Sequence, residues 1–135
     1  MKIPCTTNTI LTFSQDEICQ FVMDPSPSVR ICVLRFIHHV IKVDSESLPI
    51  LSSSLIQLLH DEHYAVVAAA LAQVVNITVL YKFPIYKETK YPMSVKETFI
   101  ELLNEVQHIF ESENDGLRTQ AARTIETFAA FQAKV

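Results

Sequence analysis

The sequence predicts an all-α protein built from repeated pairs of antiparallel helices. Its 135 residues contain a single glycine, while hydrophobic residues make up 49% of the chain. Tight β-hairpins and phosphate-binding loops both depend on glycine, so this composition disfavours sheet-rich folds, dinucleotide-binding folds and P-loops. Three segments place apolar residues at the i, i+3, i+4, i+7 spacing that marks one buried face of a helix. The length is that of one domain with ample material for a core.

The three segments share one plan, a polar turn followed by a helix with an apolar stripe. They align on three apolar anchor residues, which are Val29, Val66 and Leu117. The apolar positions that follow these anchors are Val33, Phe36, Ile37 and Val40, then Ala70, Leu71, Val74 and Ile77, then Ala121, Ile125, Phe128 and Ala129. We expect the core to be built around Val33, Phe36, Leu71, Val74, Ile125 and Phe128.

Another amphipathic helix is predicted before each of these segments, over residues 14–23, 45–60 and 94–110. Two of these helices begin with a capping box, in which Ser14 or Ser94 is followed three residues later by a glutamate. The anchors lie 37 and 51 residues apart (66 − 29 and 117 − 66), and helix-pair repeats of the HEAT and armadillo kind have a period of about 40–47 residues. The predicted fold is therefore a HEAT/armadillo-like, right-handed α-solenoid of about three antiparallel helix pairs.

The repeat domain is expected to cover residues 14–132, after an N-terminal extension over 1–13. An inserted loop over 82–93 explains the longer second spacing, because its two prolines end one helix and delay the next. The single glycine, Gly116, falls in the turn of the third pair, where we expect a positive φ and a cap from Asn114 or Asp115. Gly116→Ala is then expected to cost on the order of 1 kcal/mol.

The bulk composition argues against several functions. A net charge of −4 provides no overall basic field for nucleic acid. The three cysteines, Cys5, Cys19 and Cys32, include no CxxC motif, and their odd number predicts unpaired thiols in a reducing compartment. Residues 64–81 contain no charge and are long enough for a membrane span. Their alanines and polar residues favour the packed central helix of a helical array instead, and we expect no membrane contact.

Two groups of residues suggest site chemistry. The segment HDEH, His60 to His63, could supply zinc ligands, but it spans a turn between helices, where helix capping is the better explanation. Cys32 with His38 and His39 could form a nucleophilic site, but no third residue orients it. The sequence also lacks the GxSxG and HExxH motifs. We therefore predict no enzymatic activity, no cofactor and no metal.

The inserted loop mixes aromatic and basic side chains, which is the chemistry of single-strand nucleic-acid binding. The residues that could contact RNA are Lys82, Tyr86, Lys87, Lys90 and Tyr91. The alternative is a solvated loop whose aromatic rings pack onto the helix ends, and the composition favours this alternative.

Three motifs resemble the N-terminal helical-repeat domain of the symplekin family, the scaffold proteins of pre-mRNA 3′-end processing. They are SPSVRICVLRFIHHV, LLHDEHYAVV and SENDGLRTQAARTIETF. That family shows a similar V-R-apolar helix, a similar acidic turn before a V-V helix, and a turn of the form D-N-D-G-[IL]-R-T. The resemblance covers residues 14–131, and the third turn is its most specific part.

The resemblance implies a nuclear scaffold that gathers the cleavage endonuclease, polyadenylation factors and the phosphatase of the polymerase II tail. It also implies that the phosphatase binds a concave face built from the second helices of the pairs, where Arg123 matches a basic residue of the family. The candidate partner-binding residues are Arg30, Arg118, Thr119, Arg123 and Glu126. Arg30 and Arg118 directly follow anchor residues, so ion pairs that brace adjacent turns are their alternative role. The alternative function is a HEAT-repeat interaction module of another assembly, such as a transport receptor or a vesicle coat.

Overall fold

The computed structural model describes residues 20–81 and 93–133, and these two stretches contain five α-helices and no strand. In chain order the helices are α1 (Pro27–Val43), α2 (Leu48–Leu59), α3 (Tyr64–Tyr81), α4 (Met93–His108) and α5 (Asp115–Ala133). Short 3-10 helices lie at Gln20–Met23, Ser45–Ser47 and Ile109–Glu111. The prediction of an all-helical protein is confirmed.

Proline and aspartate residues set the helix boundaries in the first half of the chain. Pro27 lies in the first turn of α1 and Pro49 in the first turn of α2, where the fixed φ of proline suits a helix and its missing N–H costs nothing. Asp44 ends α1 in an extended conformation, and its side chain accepts a hydrogen bond from the backbone N–H of Glu46. The chain therefore reverses direction within a few residues and enters α2.

The helices pack in two layers. α3 lies between α1 and α5, so the three helices that follow the polar turns lie side by side, and α2 packs against α4. Helices that are consecutive along the chain also pack on each other, as α2 does on α3. The largest fully buried side chains are Leu34, Ile37, Ile41, Leu48, Leu51, Leu55, Leu58, Leu71, Ile77, Phe99 and Leu102. Because these residues come from α1 to α4, one core joins both layers.

The apolar stripe predicted for α5 is displaced in the structure. The predicted core residues that are buried are Val33, Phe36, Leu71, Val74 and Phe128. Ile125 is only partly buried, whereas Thr124 beside it is 1% exposed. The Thr124 hydroxyl donates to the backbone carbonyl of Gln120 at 2.9 Å, so this polar group is satisfied inside the core. Ala129, predicted on the buried stripe, is exposed.

Gly116 does not have the positive φ that the sequence suggested. It is the second residue of α5, and its φ lies outside the left-handed region. The helix is capped by Asn114, whose Oδ1 accepts a hydrogen bond from the backbone N–H of Leu117 at 3.1 Å. A Cβ at position 116 would lie 3.2 Å from this oxygen. The strained-turn prediction is therefore wrong, because the helix begins before the glycine, which instead leaves room for the cap.

Several predicted boundaries differ from the structure or lie outside it. α4 begins at Met93, so Ser94 lies inside the helix and is not its cap. Of the helix predicted over 14–23, the structure describes only Gln20–Met23, as a 3-10 helix that packs on α1. The extension over 1–13, the Ser14 capping box and residues 82–92 of the inserted loop lie outside the described residues.

Cys32 is 6% exposed and forms a disulfide bond. The expectation of unpaired thiols is therefore wrong for this residue. An odd cysteine count excludes only the pairing of every cysteine, and pairing depends on which side chains meet in space. Cys5 and Cys19 lie outside the described residues.

α3 is the uncharged helix that the sequence placed at the centre of the array. By length and composition it could cross a membrane, with a mean hydropathy of 1.8 over Tyr64–Tyr81. In the structure it packs against α1, α2 and α5, and 44% of its residues are buried. It is therefore the central helix of its layer.

Candidate functional site

Three turns share one hydrogen-bonding pattern. The first turn (residues 24–26), the second turn (60–63) and the third turn (112–114) precede α1, α3 and α5. In each turn a side-chain oxygen accepts a hydrogen bond from the backbone N–H two residues later, namely Asp24 from Ser26 at 2.9 Å, Asp61 from His63 at 2.8 Å and Ser112 from Asn114 at 3.1 Å. Aspartate and serine often stabilise turns in this way. Asp44 before α2 accepts the same bond from Glu46 at 3.1 Å, so the three turns are set apart by the position of the accepting residue, five residues before each anchor, and not by the bond alone.

Arg30 joins the first turn to the second. Its Nη1 donates to the backbone carbonyl of Asp24 at 2.6 Å, while its Nε and Nη2 donate to the two carboxylate oxygens of Asp61 at 2.7 and 3.0 Å. Both charged side chains are 9% exposed. Bidentate pairs of this kind combine charge with fixed geometry. Arg30 therefore braces adjacent turns, the alternative to partner binding, and its guanidinium is already occupied.

Arg118 occupies the corresponding place in the third turn. Its Nη1 donates to the backbone carbonyl of Ser112 at 2.5 Å, six residues back, as Arg30 does to Asp24. It also pairs with Asp115 of its own helix. The Arg118 side chain is 40% exposed and that of Asp115 is 87% exposed, so the pair contributes little to stability. Arg118 has the same backbone contact as Arg30, but its carboxylate partner belongs to its own helix.

The boundary between the second and third turns has no arginine brace. Val67 stands in the position of Arg30 and Ser112 in the position of Asp61, and both line a cleft of about 320 Å³ between these turns. A cleft of about 290 Å³ between the first and second turns is lined by the Arg30–Asp61 pair. The two clefts are thus similar in size, but the first contains an arginine paired with Asp61, whereas the second is lined by Asp61, Glu111 and apolar side chains without an arginine.

The HDEH segment serves the second turn. Nδ1 of His63 accepts a hydrogen bond from the backbone N–H of Ala65 at 3.2 Å, which caps α3. His60 pairs with Glu105 of α4. In the part of the chain that the structure describes, no three His, Cys, Asp or Glu side chains are grouped to hold a metal ion. The observed contacts are those of capping and of packing between helices.

The histidines of α1 do not form a nucleophilic site with Cys32, because that sulfur is in a disulfide bond. Nδ1 of His38 is buried without a hydrogen-bond partner among the described residues. Burial lowers the pKa of His38 below its usual 6.5, and the neighbouring Lys42 and His39 lower it further. His38 is therefore neutral at pH 7.

The outer face of α5 carries the other candidate residues. Thr119, Arg123 and Glu126 follow one another at helical spacing, and all three are exposed. Within residues 20–81 and 93–133, the Arg123 guanidinium takes part in no hydrogen bond or ion pair. We call these three residues the Arg123 face. Of the arginines that the sequence singled out, Arg123 is the one with an unoccupied guanidinium.

The residues proposed to contact RNA, Lys82, Tyr86, Lys87, Lys90 and Tyr91, lie outside the described residues. Tyr81, which precedes them, is 3% exposed. Its ring packs edge to face on Phe99, with ring centroids 5.0 Å apart. Tyr81 therefore belongs to the core and not to a surface for base stacking.

Sequence reasoning missed the partner of Arg30. Asp24 and Asp61 each lie five residues before an anchor, and Arg30 directly follows the first anchor. If adjacent turns lie side by side, this spacing points the arginine of one repeat at the aspartate of the next. The signal was therefore available, but it needed the assumption that the turns stack in register.

No protein-family model matches this chain.

Proposed function

We propose that this protein is a binding scaffold of mRNA 3′-end cleavage and polyadenylation, and that the Arg123 face docks the polymerase II tail phosphatase. In this proposal the helix pairs form a HEAT-like α-solenoid that presents α5 to the partner. The symplekin-like motifs support the choice of assembly and of a nuclear location.

The repeat arrangement is supported by the turns. Three turns with the same side-chain to backbone hydrogen bond precede three helices that lie side by side. Helix pairs that bury one face against a neighbour form extended platforms, in which each repeat contacts mainly the next one. The core of such a platform uses only the inward faces of the helices, so their outward faces remain accessible to partners.

The exposed, unoccupied guanidinium of Arg123 carries the proposal for the interface. Arg30 and Arg118 are already bonded to other groups of the chain, whereas Arg123 has no such contact among the described residues. Arginine is enriched among residues that dominate binding energy, and a free cation suits an acidic partner surface. Thr119 and Glu126 add polar groups on the same face.

Affinity purification of the tagged chain from its own cells, with mass spectrometry, tests the proposal. We expect enrichment of the phosphatase, the endonuclease and polyadenylation factors, and we expect Arg123→Glu to remove the phosphatase without changing the thermal melt. Arg35→Glu is the matched control, because Arg35 is an exposed arginine of α1 and its reversal makes the same change in net charge.

The outcomes separate the parts of the proposal. Phosphatase retention by Arg123→Glu would contradict the interface, and equal loss in both variants would point to net charge instead of a specific contact. Enrichment of transport or coat proteins would replace the assembly with the alternative, a HEAT-type module of another complex.

A further inference from the structure

Ser112 stands where the other two turns have an aspartate. Asp24, Asp61 and Ser112 each lie five residues before an anchor, and each side-chain oxygen accepts a hydrogen bond from the backbone N–H two residues later. The aspartates carry a negative charge at this position, whereas the serine hydroxyl is neutral. Phosphorylation gives a serine a charge of about −1.5 to −2 at pH 7 and three strong acceptor oxygens. A phosphate on Ser112 would therefore give the third turn the charge that the first two turns already have.

The third turn is accessible to another enzyme. Ser112 has an extended backbone, with φ −63° and ψ 144°, and its neighbours Glu111 and Glu113 are exposed. Ser112 also lines the cleft of about 320 Å³, where Val67 stands in place of an arginine. The hydroxyl therefore has space beside it, whereas the Asp61 side chain is 9% exposed and paired.

The sequence around Ser112 is acidic. Glu111 precedes it, Glu113 follows it and Asp115 lies three residues after it, while no lysine or arginine lies between Lys96 and Arg118. A protein kinase with a basic substrate groove is complementary to such a segment. A kinase that selects basic residues before the serine is not.

Arg118 and the start of α5 provide groups that can hold a phosphate. Nη1 of Arg118 donates to the backbone carbonyl of Ser112 at 2.5 Å, so the guanidinium lies beside the residue that would be modified. The backbone N–H of Asn114 already donates to the Ser112 hydroxyl, and the N-terminus of a helix favours an anion. The pair of Arg118 with Asp115 is exposed and weak, so a phosphate can replace it.

The acidic neighbours of Ser112 repel a phosphate, but this repulsion is the smaller effect. Glu111, Glu113 and Asp115 are exposed, and salt screens the repulsion between exposed charges. The guanidinium of Arg118 is instead fixed on the modified residue, and an arginine–phosphate pair combines charge with two parallel hydrogen bonds.

We propose that Ser112 is a phosphorylation site for a protein kinase that selects acidic sequences, and that Arg118 and the first turn of α5 hold the phosphate. In the reaction Oγ of Ser112 forms a bond to the γ-phosphorus of ATP, the bond from that phosphorus to ADP breaks, and the hydroxyl proton passes to the catalytic base of the kinase. The site is separate from the Arg123 face and does not depend on the proposed function.

Treatment of the full chain with a kinase of acidic specificity and Mg-ATP tests the modification. We expect fragmentation mass spectrometry to place a phosphate on Ser112, and we expect Ser112→Ala to remove it. Ser94 is the matched internal control, because it is exposed and is followed three residues later by Glu97, but lies inside α4. A phosphate on Ser94 and none on Ser112 would overturn the proposal.

The acidic selection is tested by removing single charges. We expect Glu113→Gln and Asp115→Asn each to lower kcat/KM for phosphorylation at least about fivefold, and we expect Glu97→Gln to leave it unchanged. Equal rates for all these variants would contradict the selection. The chain purified from its own cells with phosphatase inhibitors should carry the same phosphate, and its absence there would overturn Ser112 as a site used in the cell.

The role of Arg118 is tested by thermal melts of the modified chain. We expect phosphorylation to raise Tm by about 2–5 °C. Arg118→Ala should remove most of this gain, whereas Arg123→Ala, the matched control on the same helix, should retain it. No gain, or an equal gain without Arg118, would overturn the proposed phosphate contact. None of these readouts involves the polymerase-tail phosphatase, so they stand apart from the Arg123→Glu purification.

Discussion

The two boundaries between consecutive turns solve the same packing problem in different ways. Between the first and second turns, Arg30 and Asp61 form a buried, bidentate pair. Between the second and third turns, Val67 and Ser112 occupy these positions, and α3 and α5 are joined by an uncharged hydrogen bond from Gln120 Nε2 to the Ala68 carbonyl at 2.7 Å. The comparison shows that side-by-side packing of the helices does not require a charged brace. The Arg30–Asp61 pair adds a geometric constraint, because it forms only when the first and second turns are aligned in one way.

The largest effect is expected from breaking the brace. Asp61→Ala leaves the Arg30 guanidinium buried without its carboxylate, and breaking a buried pair in this way costs about 3–5 kcal/mol of unfolding free energy. Equilibrium urea unfolding measures the loss. Asp24→Ala is the matched control, because Asp24 makes the same turn hydrogen bond and its carboxylate forms no ion pair among the described residues. Equal costs for the two variants would show that the turn matters and the brace does not.

Transplanting the brace sharpens the comparison. Val67 is 6% exposed and lines the cleft beside Asp61 and Glu111, so Val67→Arg alone crowds this site and partly desolvates the new charge, at an expected cost of about 1–3 kcal/mol. Ser112→Asp supplies a carboxylate on the other side of the same cleft and retains an oxygen for the Asn114 turn hydrogen bond. We expect the double variant to recover at least about 0.5 kcal/mol relative to the sum of the singles. Additive costs would show that the second boundary cannot form the geometry of the first.

The third turn is tested through its cap. Asn114→Ala removes the oxygen that accepts from Leu117 and should cost about 1 kcal/mol. Gly116→Ala is expected to be nearly neutral in the natural chain, because a gain in helix propensity is offset by crowding of the Asn114 oxygen. In the Asn114→Ala background the same change should stabilise by up to about 1 kcal/mol. Thermal melts of the natural chain, the two single variants and the double variant measure these changes in stability. Identical effects of Gly116→Ala with and without Asn114 would contradict the crowding of the cap.

The smallest effect concerns pH and α1. Because the pKa of His38 is lowered in the folded protein, the unfolded chain binds more protons below pH 6.5, and the free energy of unfolding falls as the pH drops through that value. His38→Gln removes this titration, so the variant should lose less stability than the natural chain between pH 7 and pH 5. Urea midpoints at both pH values test it, and parallel losses would show that other groups cause the acid sensitivity.

The sequence predicted the helices more accurately than the side-chain contacts. The apolar stripe of α3 is buried at every predicted position, and the buried Thr78 next to it satisfies its hydroxyl on the Val74 carbonyl without displacing the stripe. On α5 the stripe runs through Thr124 instead of Ile125, because a threonine can satisfy its hydroxyl within its own helix. Gly116 was misplaced because a turn was expected where the Asn114 cap already starts the helix.

The candidate site was predictable only in part. Arg123 lies six residues after the anchor Leu117, a spacing outside the predicted apolar stripe, and the structure leaves it exposed. The same spacing left two roles open for Arg30, because a residue next to an anchor can face either a partner or the next turn. Only the contact with Asp61, 31 residues away in the chain, decides between them.

The sequence by itself determined the class of secondary structure, the threefold turn pattern and the inward faces of most helices, because these depend on local propensity and on the helical period. The tertiary structure alone decided which arginine is buried, which carboxylate it meets and that Thr124 of α5 lies in the core. These features depend on how distant turns align when the helices pack, and the burial and pairing of a charge is a property of that alignment.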